Sequence, residues 1–195
     1  LSGDVAIIGA QYEDSPGSKS GAAYIFCRTD SGWVEEQKLT ASDAQQEDIF
    51  GRSVAISGDV AMVGAPWEDG GWNSPATSAG AVYVFRHTDA GWLEEQILTA
   101  SVGHGEFGAA VSMSGDVAIV GARYEDGNTT HSGAAYIFRR TDVDWVEEQR
   151  LVASDSESAD FFGTSVSIGG DVALIGSPGN VENAGAAYVF RHSDV

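Results

Sequence analysis

The sequence predicts an all-β protein: a β-propeller-type tandem repeat of four-stranded antiparallel blades. Three observations predict it. Blocks of sequence return at a nearly fixed interval. Short runs rich in β-branched and aromatic residues are joined by links of hairpin length. No stretch sustains a 3.6-residue apolar period, so essentially no helix is expected. The block Gly3-Asp4-Val5-Ala6 returns at Gly58, Gly115 and Gly170, at intervals of 55, 57 and 55 residues. The block Gly21-Ala22-Ala23-Tyr24-Ile25-Phe26 has counterparts starting at Gly80, Gly133 and Gly185. Trp33-Val34-Glu35-Glu36-Gln37 is echoed at Trp92 and Trp145, and Phe50-Gly51 returns as Phe107-Gly108 and Phe162-Gly163.

The second repeat shows the elements in order. Ser53-Val54-Ala55-Ile56-Ser57 is strand one and Val60-Ala61-Met62-Val63-Gly64 is strand two. Only Gly58-Asp59 separates them, which leaves room for a tight hairpin whose glycine takes a positive φ. Strand three is Val82-Tyr83-Val84-Phe85-Arg86, and strand four runs from Trp92 to about Leu98. Their link, Thr88-Asp89-Ala90-Gly91, is rich in turn formers. Strand two is apolar at successive positions, as in Val5-Ala6-Ile7-Ile8, so both of its faces are expected to be covered. Strand four mixes Glu35, Glu36, Gln37 and Lys38 with Trp33 and Leu39. It reads as the outermost, half-wet strand, and its charges discourage edge pairing.

The repeat units fall at about 1–49, 50–106, 107–161 and 162–195. Their strands number three, four, four and three. Such a set does not readily close a ring, so the chain reads either as part of a longer propeller or as a unit whose copies complete one another in an oligomer or filament.

Composition narrows the function. Ten Lys+Arg against 29 Asp+Glu give a net charge of −19. That surface repels phosphate backbones, so nucleic acid and anionic membrane are poor partners. No apolar run reaches the roughly 18–20 residues that span a bilayer, so no membrane insertion is expected. The single Cys27 excludes an internal disulfide framework and a multi-cysteine zinc site. It reads as a strand residue in the slot held by Arg86, Arg139 and Arg191; the alternative is a reactive or bridging thiol.

The segment from Phe50-Gly51 to Gly64-Ala65-Pro66 resembles an FG-GAP repeat, the unit of the integrin α-chain propeller, in a bacterial-type branch. The GAP element is complete there and reads Gly9-Ala10-Gln11, Gly121-Ala122-Arg123 and Gly176-Ser177-Pro178 elsewhere. The resemblance implies an extracellular or cell-surface role in adhesion or scaffolding. On this reading Phe50, Phe107 and Phe162 wedge between sheets. Gly51, Gly108 and Gly163 let backbone approach backbone. Trp33, Trp92 and Trp145 close the outer hairpins opposite Arg28, His87 and Arg140, with cation–π stacking for the arginines.

The resemblance also implies calcium, held between strands one and two by an Asp-x-Asp-x-Asp-Gly loop. This chain departs from that pattern. Its hairpins offer only Ser2-Gly3-Asp4, Ser57-Gly58-Asp59, Ser114-Gly115-Asp116 and Gly169-Gly170-Asp171, and one carboxylate in a tight turn cannot wrap a cation. A weaker Ca2+ candidate is the set of acidic pairs after strand two: Glu13 and Asp14, Glu68 and Asp69, Glu125 and Asp126. The same residues read equally as a solvated acidic rim. The fourth unit lacks the pair.

A second class of function is carbohydrate binding. Trp67, Trp72 and Asn73 share one loop, and Tyr12 and Tyr124 take the place of Trp67 in other units. Aromatic faces beside polar groups suit sugar rings, although such rings also fold back over their own loops. Catalysis is not expected: His87, His104, His131 and His192 stand in unrelated contexts, and no hydrolase or phosphate-loop motif is present. Asn128-Thr129-Thr130 is an N-glycosylation sequon.

Overall fold

The computed structural model describes residues 1–14, 17–68, 78–102, 105–179 and 184–191. These contain fourteen strands and no helix, in four antiparallel sheets contiguous in sequence. The first sheet is β1 (Val5–Ala10), β2 (Ala22–Thr29) and β3 (Gly32–Leu39). The second is β4 (Ser53–Ser57), β5 (Val60–Ala65), β6 (Ala81–Thr88) and β7 (Gly91–Leu98). The third is β8 (Phe107–Ser114), β9 (Val117–Ala122), β10 (Ala134–Arg140) and β11 (Trp145–Leu151). The fourth is β12 (Ser165–Gly169), β13 (Val172–Ser177) and β14 (Ala186–Arg191). Each sheet is a meander in chain order.

The sheets are propeller-like blades packed face to face, and they do not close on themselves. The first strands β4, β8 and β12 neighbour one another along the inner edge, while β3, β7 and β11 form the outer edge. A bulge recurs in every pairing of the third and fourth strands, between Ile25 and Phe26, Val84 and Phe85, and Ile137 and Phe138. It sets each tryptophan opposite the residue expected: Arg28 with Trp33, His87 with Trp92, Arg140 with Trp145.

The core lies between sheets. Ala61, Val63, Tyr83 and Phe85 of the second sheet pack toward the first, against Ile25 and Leu39. Val60, Met62, Val82 and Val84 of the same strands pack toward the third, against Phe107 and Tyr136. A third layer joins Ile119, Ile137 and Leu151 to Phe162 and Ile175. The alternation of side chains across a strand thus feeds two separate apolar layers. This explains the unbroken apolar run of β5, whose six residues are all buried.

One expectation fails. β1 is not covered on both faces: Ile8 is 55% exposed. The reason is positional. Ile8 matches the buried Val63 in register, but no sheet among the described residues lies against that side of the first sheet.

Candidate functional site: the junctions between sheets

Each junction is built from the same parts, beginning with the Phe-Gly pair. Phe50, Phe107 and Phe162 are fully buried. Each meets two rings of its own third strand edge-on: Phe50 with Tyr83 and Phe85, Phe107 with Tyr136 and Phe138, Phe162 with Tyr188 and Phe190. The residue before each phenylalanine is left-handed although none is glycine: Ile49 (φ 52°), Glu106 (φ 60°) and Phe161 (φ 55°). Such backbone is uncommon outside glycine and strained for a β-branched residue.

The glycine after the phenylalanine makes the close approach. Gly51 has φ 87°, and a Cβ there would lie 2.2 Å from the Ala22 carbonyl oxygen of the preceding sheet. The first glycine of the GAP element meets it from the other side. A Cβ on Gly9, Gly64 or Gly121 would lie 2.0, 2.1 or 2.0 Å from the carbonyl oxygen of Gly51, Gly108 or Gly163. Two glycines therefore face each other across each junction because neither chain can carry a side chain there.

Side chains from three levels then tie the sheets together. At the outer edge, the Gln37 amide donates to the Trp92 carbonyl (2.7 Å) and accepts from the Trp92 N–H (2.8 Å). Gln96 does the same for Trp145 (2.9 and 2.8 Å). Beside these clamps, Ser42 donates its N–H and hydroxyl to Glu94, and Ser101 donates likewise to Glu147. At the hairpins, the Gly58, Gly115 and Gly170 N–H groups donate to the hydroxyls of Ser2, Ser57 and Ser114 in the sheet before. The signal for the glutamine clamp was in the sequence: glutamine recurs four residues after Trp33, Trp92 and Trp145.

The hairpin aspartates serve the same end. Asp59 lies 3.5 Å from Arg86 of its own sheet and 3.3 Å from Arg140 of the next. The Arg140 hydrogen bond holds its carboxyl below the usual range. Arg28 reaches Asp4 at 3.9 Å and Arg140 also reaches Asp116 at 3.8 Å. The arginine heads opposite the tryptophans are thus directed at hairpin aspartates, where cation–π stacking was expected. His87 does meet the Trp92 ring, with centroids 5.1 Å apart and the planes tilted by 46°.

The tryptophans divide. Trp92 and Trp145 are 3% exposed, whereas Trp33 is 47% exposed. Only the first two have a preceding sheet and its glutamine to receive them. Both buried indole N–H groups lack a partner among the described residues.

The acidic pairs split in two. Glu125 is 1% exposed and accepts from the Tyr136 hydroxyl and from Arg150 Nε (2.7 Å). Burial lifts its carboxyl above the ordinary range against the pull of those two donors. Glu13 pairs with Lys38 at 2.9 Å. Glu68 is half-buried. Asp14 and Asp126 instead accept the N–H of Lys19 and His131, closing their loops. Glu13, Glu68 and Glu125 follow strands of three different sheets, and no group of three or more acidic, histidine or cysteine side chains that could hold a metal ion converges among the described residues. Asp69, Trp72 and Asn73 lie outside the described residues.

Of the loop aromatics, Trp67 donates its indole N–H to Glu106 (2.9 Å), a buried carboxylate also held by Arg123 (2.7 Å). Tyr124 packs edge-on against His131 and Phe161 and lies under the Arg123 guanidinium. Both thus reach the start of the next sheet. Tyr12 is 58% exposed. The Glu106–Arg123–Trp67 network escaped sequence reasoning because Glu106 stands where Ile49 and Phe161 stand in the other units. Cys27 donates to Glu36, which pushes its thiol up to about 11. The pair occupies the place of the Arg86–Glu95 and Arg139–Glu148 ion pairs, so the thiol is a structural stand-in. Asn128 is exposed, and its amide donates to the Ala153 carbonyl and Ser156.

The model of the FG-GAP repeat matches residues 1–26, 33–85, 92–138 and 145–190. The chain belongs to the FG-GAP repeat family. The matches omit residues 27–32, 86–91 and 139–144, the ends of the third strands and the turns that follow them. No curated protein matches the sequence. Among solved structures, the chain is similar to an Aleuria aurantia lectin, an N224Q mutant in complex with α-methyl-L-fucoside, at 10% identity and a TM-score of 0.42. That similarity covers 97% of this chain and 61% of the lectin, so the FG-GAP chain spans about three-fifths of the lectin's length.

Proposed function

We propose that this FG-GAP chain is a non-enzymatic structural or adhesive scaffold, working outside the cell or at its surface by stacking its sheets on further sheets. One observation carries the reading. The outward face of the first sheet exposes Ile8 and Trp33, and that of the fourth exposes Leu174 and Val189. Their counterparts in the middle of the chain, Val63, Trp92, Met62 and Val84, are buried against neighbours. The buried carboxylates support it as well, since Glu106 and Glu125 are spent on arginine pairs that brace loops.

The test is the mass of the particle across a concentration series, by sedimentation and electron microscopy. Assemblies should form and should be lost in Ile8→Asp and Leu174→Asp. A parent that stays monomeric throughout overturns the reading. Turnover in a broad hydrolase screen would overturn its non-enzymatic part. Saturable binding on a glycan array, lost in Tyr12→Ala, would replace it with a carbohydrate-binding module. A thermal midpoint unmoved by chelator is expected, because a cation bound to the folded form would raise it.

A further inference from the structure

The tyrosines of the third strands mark a difference between the junctions. Tyr83, Tyr136 and Tyr188 hold equivalent places on β6, β10 and β14. Tyr83 donates its hydroxyl to Asp43 and Tyr188 donates to Asp155, each at 2.7 Å. Both aspartates follow the serine of the segment that leads into their sheet, as Ser42-Asp43 and Ser154-Asp155. In the second junction the same pair reads Ser101-Val102. Phe107 follows five residues after Val102, whereas Phe50 and Phe162 follow seven after their aspartates. Val102 has no side-chain acceptor to offer Tyr136.

Tyr136 therefore meets two acceptors of different kinds. Its hydroxyl lies 2.5 Å from Glu125 Oε2 and 3.0 Å from the Val102 carbonyl oxygen. A phenol carries one proton and serves one of them fully at a time. The ionised carboxylate is the stronger acceptor and keeps that proton while Glu125 is charged. Once Glu125 takes up a proton it donates to the phenol oxygen, and the Tyr136 proton is released to the Val102 carbonyl. The other carboxylate oxygen stays fixed, because Arg150 donates to Oε1 from Nε (2.7 Å) and Nη2 (2.6 Å).

We infer that Glu125, Tyr136 and the Val102 carbonyl form a proton-operated latch on the segment that leads from the second sheet to the third. The latch is open while Glu125 is charged and closed, with Tyr136 bound to Val102, when Glu125 is protonated. Ser101 is already anchored to Glu147 through its N–H and hydroxyl, so closing adds a second fixed point beside it. Burial favours the protonated carboxyl, so the closed form contributes stability in acid that is lost as pH rises through the folded titration. The charges set against Glu125 are Arg150, which favours its ionised form, and Glu147, which opposes it. Its loop neighbours are otherwise engaged, Arg123 with Glu106 and Asp126 with the His131 N–H. His104 follows Val102 by two residues and lies outside the described residues. Tyr83 and Tyr188 donate to a side chain of the incoming segment itself. The latch lies inside the second junction and does not depend on the scaffold reading.

The experiment follows the carbon-13 resonance of the Val102 carbonyl in the 195-residue chain from neutral pH into mild acid. A carbonyl that gains a hydrogen bond moves downfield, and a single downfield transition is expected. Glu125→Gln, whose amide donates as the protonated acid does, should hold the acid position at every pH. Tyr136→Phe removes only the hydroxyl and should hold the neutral position without titrating. His104→Gln should titrate like the parent. A parent resonance that does not move overturns the inference, and this measurement needs no variant to fold. A transition that survives in Tyr136→Phe, or a Glu125→Gln variant that follows the parent, also overturns it. Loss of the transition in His104→Gln would move the switch to that imidazole and refute the role of Glu125.

Discussion

Trp33 and Trp145 stand in the same five-residue pattern, opposite arginines in the same register, yet one is half in water and the other buried. The difference is the sheet across from them. Trp145 has Leu98, Val84 and the Gln96 clamp to meet it; Trp33 has none of these. Burial in this protein is a property of the junction, and a side chain acquires it only when a neighbouring repeat is stacked against it. Cores of stacked repeats are shared in this way, so stability is a sum over nearest-neighbour contacts.

Substitutions can sharpen or break this contrast. The largest effect is expected at the wedge. Phe107→Ala removes a ring packed on Tyr136 and Phe138 and should cost about 3–5 kcal/mol in denaturant unfolding. An unchanged midpoint would break the claim that these rings hold the junction. Next comes the tryptophan pair itself. Trp145→Ala should also cost about 3–5 kcal/mol, whereas Trp33→Ala should stay within roughly 1 kcal/mol. Equal losses would refute the dependence on a neighbouring sheet. Gln96→Ala leaves the Trp145 N–H and carbonyl without their partner and should cost about 1–3 kcal/mol. The corresponding Gln149→Ala, with no clamped backbone, should be near neutral in the same melt.

The smallest effect is electrostatic. The Asp59 carboxyl titrates below its ordinary value because Arg140 donates to it. Its stabilising contribution is therefore fully present above the unfolded carboxylate range and is lost as pH falls through the folded value. The side chain is 51% exposed, so Asp59→Asn should cost only about 0.2–1 kcal/mol at neutral pH, and the difference from the parent should vanish in acid. A gap that persists in acid would mean that Asp59 acts through something other than charge.

The framework was legible in the sequence because it is repeated. The tight Ser-Gly-Asp hairpins, the strand order and the wedging phenylalanines follow from spacing, turn chemistry and alternation. What stayed hidden depends on the opposite side of a junction. Ile8 reads as core by its apolar neighbours, yet is exposed because no sheet among the described residues faces it. Tyr12 and Tyr124 occupy equivalent positions, and only Tyr124 is packed between an arginine and a phenylalanine. Glu106 breaks the apolar pattern of its slot, and its partners Trp67 and Arg123 come from two different loops, which no local pattern could join.

The paired glycines at each junction carry one more consequence. Gly9 meets Gly51, Gly64 meets Gly108 and Gly121 meets Gly163 with nearly the same spacing. Because the three contacts are interchangeable, excising one entire period would let the flanking sheets seat on each other, whereas a cut through the middle of a period would not. Gene duplication or loss in whole periods could therefore lengthen or shorten the array without inventing a new contact, and the protein's span becomes something evolution can count in steps.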